Sequence, residues 1–481
     1  MKVLLVYPPR GFNTKDLMPP LGLAYIAAVL EENNIKVEVV DAEVERLSWK
    51  ALRKRYRESK PDVIGITSLT ESRFESFKAA EIAKQTVPDS IVVMGGPHAS
   101  LTSEDILANV PSVDIIVRGE GEYTMKELCE VLEVDGDLHS VEGISFREKE
   151  EIIHTKNRQL IQDLDALPLP ARHLFPITKY NFTLKVPGKG KLPAMNVITS
   201  RGCPVGCVFC ATSKMLGKTW RARSPLNVIF ELEHLIEKYD TKAIFFYDDI
   251  FTMNKKRTFE LCNMMIERGL NLNYICMTRV DMLDKPLLEK MKESGCYRIH
   301  YGVESGSQKI LDRVVGKKIK INKVKQVSKW LDEVGIIKNA FFIVSFPEET
   351  YEDVNMTLKL MEDLGGEPSL SFLKIYPGTE IERIAKHKGV IPDDFSWSKE
   401  SGNGIFSIPA IQGDVPLFID KLNLDDLTEI AIRWAEMRRD YSTFNRVVDM
   451  VRNIRSYRDI KRIAIFSMIY LKRKLISACR H

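Results

Sequence analysis

No run of apolar residues in this 481-residue chain reaches the roughly 18 that a membrane-spanning helix needs. The opening MKVLLVYPPR is too short in its apolar stretch for a signal peptide and carries no small-residue cleavage site, so a cytoplasmic protein is expected. Charge of one sign is lacking as well: the formal net is only +4, which by itself argues for no nucleic-acid partner. No internal repeat of solenoid period and no low-complexity segment interrupts the chain. Cysteine is scarce, eight in all, and five of them (Cys129, Cys262, Cys276, Cys296, Cys479) are scattered as incidental thiols usually are. That usage excludes a disulfide framework and suits a reducing compartment and a metal site.

What is present reads as an ordinary globular chain, 44% hydrophobic and 28% charged, too long for one core. Its basic character is concentrated at the end. Residues 446–481 hold ten Lys/Arg against two Asp, a balance of +8, which leaves about −4 for the rest of a chain whose net is +4. Within that tail, apolar Ile463–Leu471 is flanked by Lys461–Arg462 and Lys472–Lys474. Nine helical residues rise about 14 Å, too short to span a bilayer, but basic brackets suit a helix lying in a membrane interface. A terminal helix packed on the neighbouring domain is the competing reading. The interfacial reading would favour a lipid-like substrate and peripheral membrane contact through residues 458–481.

Residues 1–134 alternate apolar β-branched runs (Lys2–Tyr7, Lys36–Asp41, Val63–Thr67, Ile91–Met94, Asp114–Val117) with helical patterns, the mark of a doubly wound parallel sheet. In such sheets a ligand sits beyond the carboxyl ends of the strands. The turns there, TSLTES (67–72), GGPHAS (95–100) and RGEGE (118–122), are of the Gly/Pro/Ser kind that admits a ligand to the backbone. Residues 135–193 read as a linker with a hairpin around a charged turn. Residues 194–388 hold six further strand–helix units, predicted to curl into a partial parallel (βα)6 barrel with its chemistry at the strand carboxyl ends. Residues 389–481 read as a helical, basic C-terminal region.

The sequence SRGCPVGCVFC, after the first barrel strand, places Cys203, Cys207 and Cys210 as CxxxCxxC. A zinc site would want a fourth Cys or His at finger spacing, and none follows. Three thiolates on a four-iron cluster leave one iron open to chelate an amino acid's amine and carboxylate. A zinc knuckle and a chance cluster of buried thiols remain the alternatives at this point.

The motif, with Phe209 before its last Cys, resembles that of the radical S-adenosylmethionine (SAM) superfamily. FFYDDIF (245–251) stands where that family binds the SAM amine, YGVESGS (301–307) resembles its ribose-binding segment, and YPGTEI (376–381) completes the sixth strand. IVSFPEET (343–350) stands where many members have Gly-x-Pro-Gly-Glu-Thr, with Ser345 and Glu348 in place of the glycines. The resemblance implies a 4Fe–4S cluster on the three cysteines, a SAM site at Phe209, Tyr247, Asp248, Glu304, Ser305 and Ser345, and an electron donor such as flavodoxin or ferredoxin. No catalytic residue beyond the cluster ligands is assigned.

The first domain is similar to the cobalamin-binding domain that precedes many radical SAM barrels; its first turn contains no G-x-G-x-x-G for a dinucleotide. This resemblance implies cobalamin contacts at Thr67, Ser68, Leu69, Gly95, Gly96, Pro97, His98, Gly119, Glu120, Gly121 and Glu122. The family's Asp-x-His-x-x-Gly is missing from the first turn, so no histidine ligand to cobalt is expected. Three activities fit the resemblance: methylation of an unactivated carbon, oxidative cyclisation of the magnesium-protoporphyrin ester type, and methylthiolation. The last needs a second cysteine triad, and residues 1–134 hold only Cys129.

Overall fold

The computed structural model describes residues 1–9, 17–400 and 415–437; the basic tail, with the expected interfacial helix at 458–481, lies outside the described residues. No helix among the described residues is long and apolar enough to cross a membrane.

The first sheet comprises β1 (Lys2–Tyr7), β2 (Lys36–Asp41), β3 (Val63–Thr67), β4 (Ile91–Gly95), β5 (Ile115–Val117), β6 (Ile144–Glu148) and β7 (Glu151–His154), in the order β2-β1-β3-β4-β5-β6-β7. The five leading strands are parallel, and β1, β3, β4 and β5 are buried along most of their length on both faces, which is why they read as unbroken apolar runs. The hairpin read in the linker is β6–β7, and it joins this sheet: β6 pairs antiparallel with β5, and Arg147 donates to the Leu107 carbonyl at 2.8 Å. The order reverses between β1 and β3, the switch point at which open α/β sheets bind ligands.

The second sheet runs from β8 (Thr183–Val186) and β9 (Gly190–Val197), past a two-residue pair β10 (Ser200–Arg201) and β11 (Arg221–Ala222), to β12 (Ala243–Phe246), β13 (Asn273–Arg279), β14 (Cys296–Glu304), β15 (Ile337–Val344) and β16 (Ser369–Phe372). Its order is β16-β15-β14-β13-β12-β9-β8; only β8–β9 is antiparallel, so β9 and β12–β16 form the expected open parallel barrel. One side of each strand, such as Ile299, Tyr301 and Val303 of β14, packs into the helical layer. The sixth strand ends at Phe372 rather than Ile375, because the chain turns to pair with residues 416–418: Ile375 N–H donates to the Pro416 carbonyl at 2.8 Å.

The proline-punctuated connector is tied to the barrel by charge. Glu231, fully buried on the helix Pro225–Tyr239, receives Arg172 at 2.6 Å and also pairs with Arg223. Burial pushes the Glu231 carboxyl up, but the two guanidiniums more than offset it and hold it below the usual range.

Candidate active site

Ligand-edge turns of the first sheet face the barrel mouth across one continuous cavity of about 680 Å³. Thr67, Leu69, Gly95–Pro97 and Gly119–Glu122 line its sheet side, and Asn196, Ser200, Arg201, Tyr247, Asp249 and Met277 its barrel side. Much of the wall between is apolar, with Met18, Ile26, Met125 and Met215. Gly96 makes the close approach possible: at φ +93°, a Cβ there would meet the Ser68 carbonyl oxygen and the Thr67 Oγ1 at 2.9 Å each.

Two residues expected beside cobalamin, Ser68 and His98, do not line this cavity. The GGPHAS turn continues into a short helix, Pro97–Leu101, which carries the His98 ring into the core between Phe77 and Trp397. Its Nδ1 lies 3.2 Å from Thr70 Oγ1, and burial together with Arg73 pushes its pKa down to about 3, so the ring is neutral. Ser68 is buried too, its N–H donating to the Gly95 carbonyl at 2.8 Å.

The two carboxylates of the RGEGE turn are held by the cluster loop. Arg201 donates to Glu120 at 2.9 Å and to Glu122 at 2.7 Å, and Arg221 donates to Glu120 at 2.8 Å. Burial raises the Glu120 pKa, but Arg221 and Arg201 outweigh it and the net displacement is downward. These arginines belong to β10 and β11, which pair antiparallel and close the neck of the loop 202–220. One charged network thus anchors the cluster loop to the first domain.

Beyond that neck, Gly202 (φ +88°) turns the chain where a Cβ would strike the Thr219 carbonyl at 2.2 Å. Cys203, Cys207 and Cys210 follow as free, partly exposed thiols, and Cys203 and Cys207 each lie within the electrostatic reach of Cys210. Burial pushes Cys207 up to about 11 against the opposing pull of Lys317. Among the described residues no three Cys, His, Asp or Glu side chains are gathered tightly enough for a single ion. A cluster does not ask for that: each cysteine ligates its own iron, so the three thiols suit it. Val208 N–H donates to the Val315 carbonyl at 3.3 Å and Val208 accepts from Ile381 N–H at 3.1 Å, which pins the loop to the fourth- and sixth-strand ends.

The strand-end acids divide by role. Asp248 is fully buried and accepts from Thr199 N–H at 2.7 Å, Thr199 Oγ1 at 2.6 Å and Ser200 Oγ at 2.5 Å, so it shapes the start of the cluster loop and does not line the cavity. Its neighbour Asp249, which the sequence reading passed over, does line it. Asp249 is exposed to the cavity, yet desolvation by the protein around it and the adjacent Asp248 push its carboxyl up to about 6. Tyr247, 46% exposed, stands beside it in the cavity, its ring edge-on to Phe245.

Glu304 (φ +73°) pairs with Lys317 at 2.6 Å, near Cys207, while Ser305 is buried and 3.3 Å from Thr357 Oγ1. Ser345 and Glu348 keep the left-handed backbone of the glycines they replace, at φ +77° and +61°. Glu349 holds that turn by accepting from the N–H groups of Ser345 at 2.6 Å and Phe346 at 3.0 Å. Phe209 reaches the same turn, 5.9 Å from the Phe346 ring.

A ligand-binding sheet edge set over a barrel whose first strand delivers three cluster-type cysteines defines a radical enzyme with a second cofactor domain. Residues 10–129 match the B12 binding domain and residues 197–361 the Radical SAM superfamily. The chain is 36% identical over 390 residues to an uncharacterized methyltransferase of Pyrococcus horikoshii, across 80% of this chain and 83% of that one. It is 31% identical over 373 residues to the anaerobic magnesium-protoporphyrin IX monomethyl ester cyclase of Rubrivivax gelatinosus, across 76% of this chain and 66% of the cyclase. The fold is shared with OxsB, a cobalamin-dependent SAM radical enzyme solved with aqua-cobalamin and SAM bound: TM-score 0.74, 18% identity, 98% of this chain and 71% of that chain. It is shared also with the radical SAM methyltransferase TsrM of Kitasatospora setae, solved with cobalamin and a 4Fe–4S cluster: TM-score 0.66, 19% identity, 80% of this chain and 76% of that chain. The chain belongs to the radical SAM enzymes that carry a cobalamin-binding domain, whose cofactors are the 4Fe–4S cluster, SAM and cobalamin.

Proposed function

We propose that this enzyme transfers a methyl group to an unactivated carbon of a small-molecule substrate. The observation that supports the reading is one cavity whose wall joins the sheet-edge turns to Tyr247, Asp249 and Met277 of the barrel mouth; the three cysteines, Phe209, Glu304, Ser305 and Ser345 are not among its lining residues. Residues 1–134 hold cobalamin at Thr67, Leu69, Gly95–Pro97 and Gly119–Glu122, and residues 194–388 hold the cluster and SAM. The cluster, fed by a donor such as flavodoxin or ferredoxin, would supply the electron for reductive cleavage of SAM, and cobalamin would supply the methyl group. Cys203, Cys207 and Cys210 are the cluster's protein ligands. Asp249 would take the SAM amine and Glu304 with Lys317 the ribose side, while Tyr247 and Met277 bound the chamber.

Resemblance to the cyclase favours a second reading, oxidative ring formation without methyl transfer. Reconstituted enzyme incubated with cell extract and methyl-deuterated SAM separates the two. A product in which one hydrogen has been replaced by a CD3 group supports methylation. An unlabelled product that has gained oxygen or lost hydrogen supports cyclisation and overturns the proposal.

A further inference from the structure

The interior face of the barrel carries a polar pair that neither the fold nor the cofactor sites use. Met277, His300 and Asn339 are register partners on β13, β14 and β15, so the three side chains share one face. That face is the concave one, since Ile299 and Tyr301, on either side of His300, pack outward into the helical layer. It is also open: along β15 every second residue, Ile337, Asn339, Phe341 and Ile343, is partly exposed while those between are buried. Below this row the barrel is closed by a dry floor, with Phe182, Leu184 and Val186 packed on Ile275 and Tyr297. Above it lies the main cavity, which Met277 itself lines.

The pair is unsatisfied. Among the described residues, His300 Nε2 and Asn339 Oδ1 are both buried without a hydrogen-bond partner, although buried polar atoms are nearly always paired. Aromatic rings flank them: Phe245 stacks on His300 at 6.0 Å and 30°, and Phe341 lies 5.4 Å from it. Charged neighbours are already committed, Arg298 to Glu367, Arg279 to Asp281 at 2.8 Å and Lys317 to Glu304 at 2.6 Å. A stabilising core would place apolar side chains at the pair, as it does one level down.

We infer that the row Met277–His300–Asn339, between Phe245 and Phe341, is a substrate subsite for a flat, uncharged, unsaturated group bearing an N–H or O–H. Asn339 Oδ1 accepts that hydrogen, His300 Nε2 takes a second polar atom, and the aromatic surroundings of His300 suit a flat group. Burial, with Arg298 nearby, pushes the His300 pKa down to about 4, which keeps the imidazole neutral and unsuited to holding an anion. The subsite rests on the proposed small-molecule reaction, and its depth below the cavity sets which end of the substrate is anchored and which is left at the cofactors.

Calorimetric titration of the reconstituted holoenzyme with indole, benzamide, benzoate, benzylamine and toluene tests the assignment. Indole and benzamide are expected to bind more tightly than the ions or toluene. Asn339→Leu and His300→Phe should each weaken indole and benzamide about tenfold, the usual worth of one hydrogen bond, while toluene binding persists and reports an intact barrel. Equal affinity for benzamide and toluene in the wild type, or unchanged benzamide affinity in both variants, would overturn the inference. SAM cleavage by the wild type without any fragment reads the parent reaction separately, so failure of one is not failure of the other.

Discussion

Arg201, two residues ahead of the first cluster cysteine, donates to Glu120, a residue of the first domain's ligand edge, at 2.9 Å. The same guanidinium reaches Glu122, and Arg221 braces Glu120 from the other side. The loop that carries the three cysteines and the carboxyl-edge turn of the first domain therefore share one buried charge network. Chemistry shared between two bound groups demands fixed separation, and this network fixes the two segments relative to each other.

Breaking the network should be costly and pH-dependent. Arg201→Leu leaves Glu120 and Glu122 short of a buried cation, at a cost of about 3 kcal/mol. The sign follows from Glu120, whose folded pKa lies below its ordinary 4.5: its contribution is complete above 4.5 and is lost as pH falls through the folded value. Urea unfolding between neutral pH and about pH 4 should show the gap between wild type and Arg201→Leu narrowing at the acid end. A gap independent of pH would mean that Arg201 acts through packing.

Space at two glycines on the cavity wall differs. At Gly96 a Cβ would meet the Ser68 backbone at 2.9 Å in a positive-φ conformation, so Gly96→Ala should destabilise by about 2 kcal/mol and loosen cobalamin binding. At Gly22, in the first turn of the helix Leu21–Glu32, a Cβ meets nothing within 4 Å among the described residues and opens on the cavity. Gly22→Ala should keep the wild-type melting temperature, whereas Gly22→Trp should fold and yet block cobalamin uptake. Thermal melts alongside aquacobalamin titration read both outcomes.

The adjacent acids should separate cleanly. Asp248→Asn loses acceptor capacity for three donors and should lower stability and cluster content together, at about 1–3 kcal/mol for the donor left unpaired. Asp249→Asn should keep stability and iron content while SAM affinity falls. Iron assay and SAM equilibrium dialysis check this; unchanged SAM affinity in Asp249→Asn removes that residue from the site.

Much of the architecture was legible because parallel strands buried on both faces must be unbroken apolar runs, and helices between them keep their period. The cluster loop was legible because three ligands at CxxxCxxC need no tertiary knowledge to be seen. What stayed hidden depends on contacts that the local pattern does not encode. Which of Asp248 and Asp249 faces the cavity is decided by a strand that ends at Phe246 and by Thr199, far away in sequence. His98 turns inward because Trp397 and Phe77 offer its ring a pocket. The β6–β7 hairpin was visible as a hairpin, but its attachment to β5 was not, since edge pairing leaves no periodic trace.

The most direct test is the ratio of SAM products in reduced, reconstituted enzyme turning over its substrate. Methyl transfer to an unactivated carbon consumes two SAM molecules, one cleaved to 5′-deoxyadenosine and one demethylated to S-adenosylhomocysteine. The account expects the two products in equal amounts per methylated product, with 5′-deoxyadenosine abolished in Cys207→Ala. S-adenosylhomocysteine without 5′-deoxyadenosine, or full cleavage in Cys207→Ala, would contradict it.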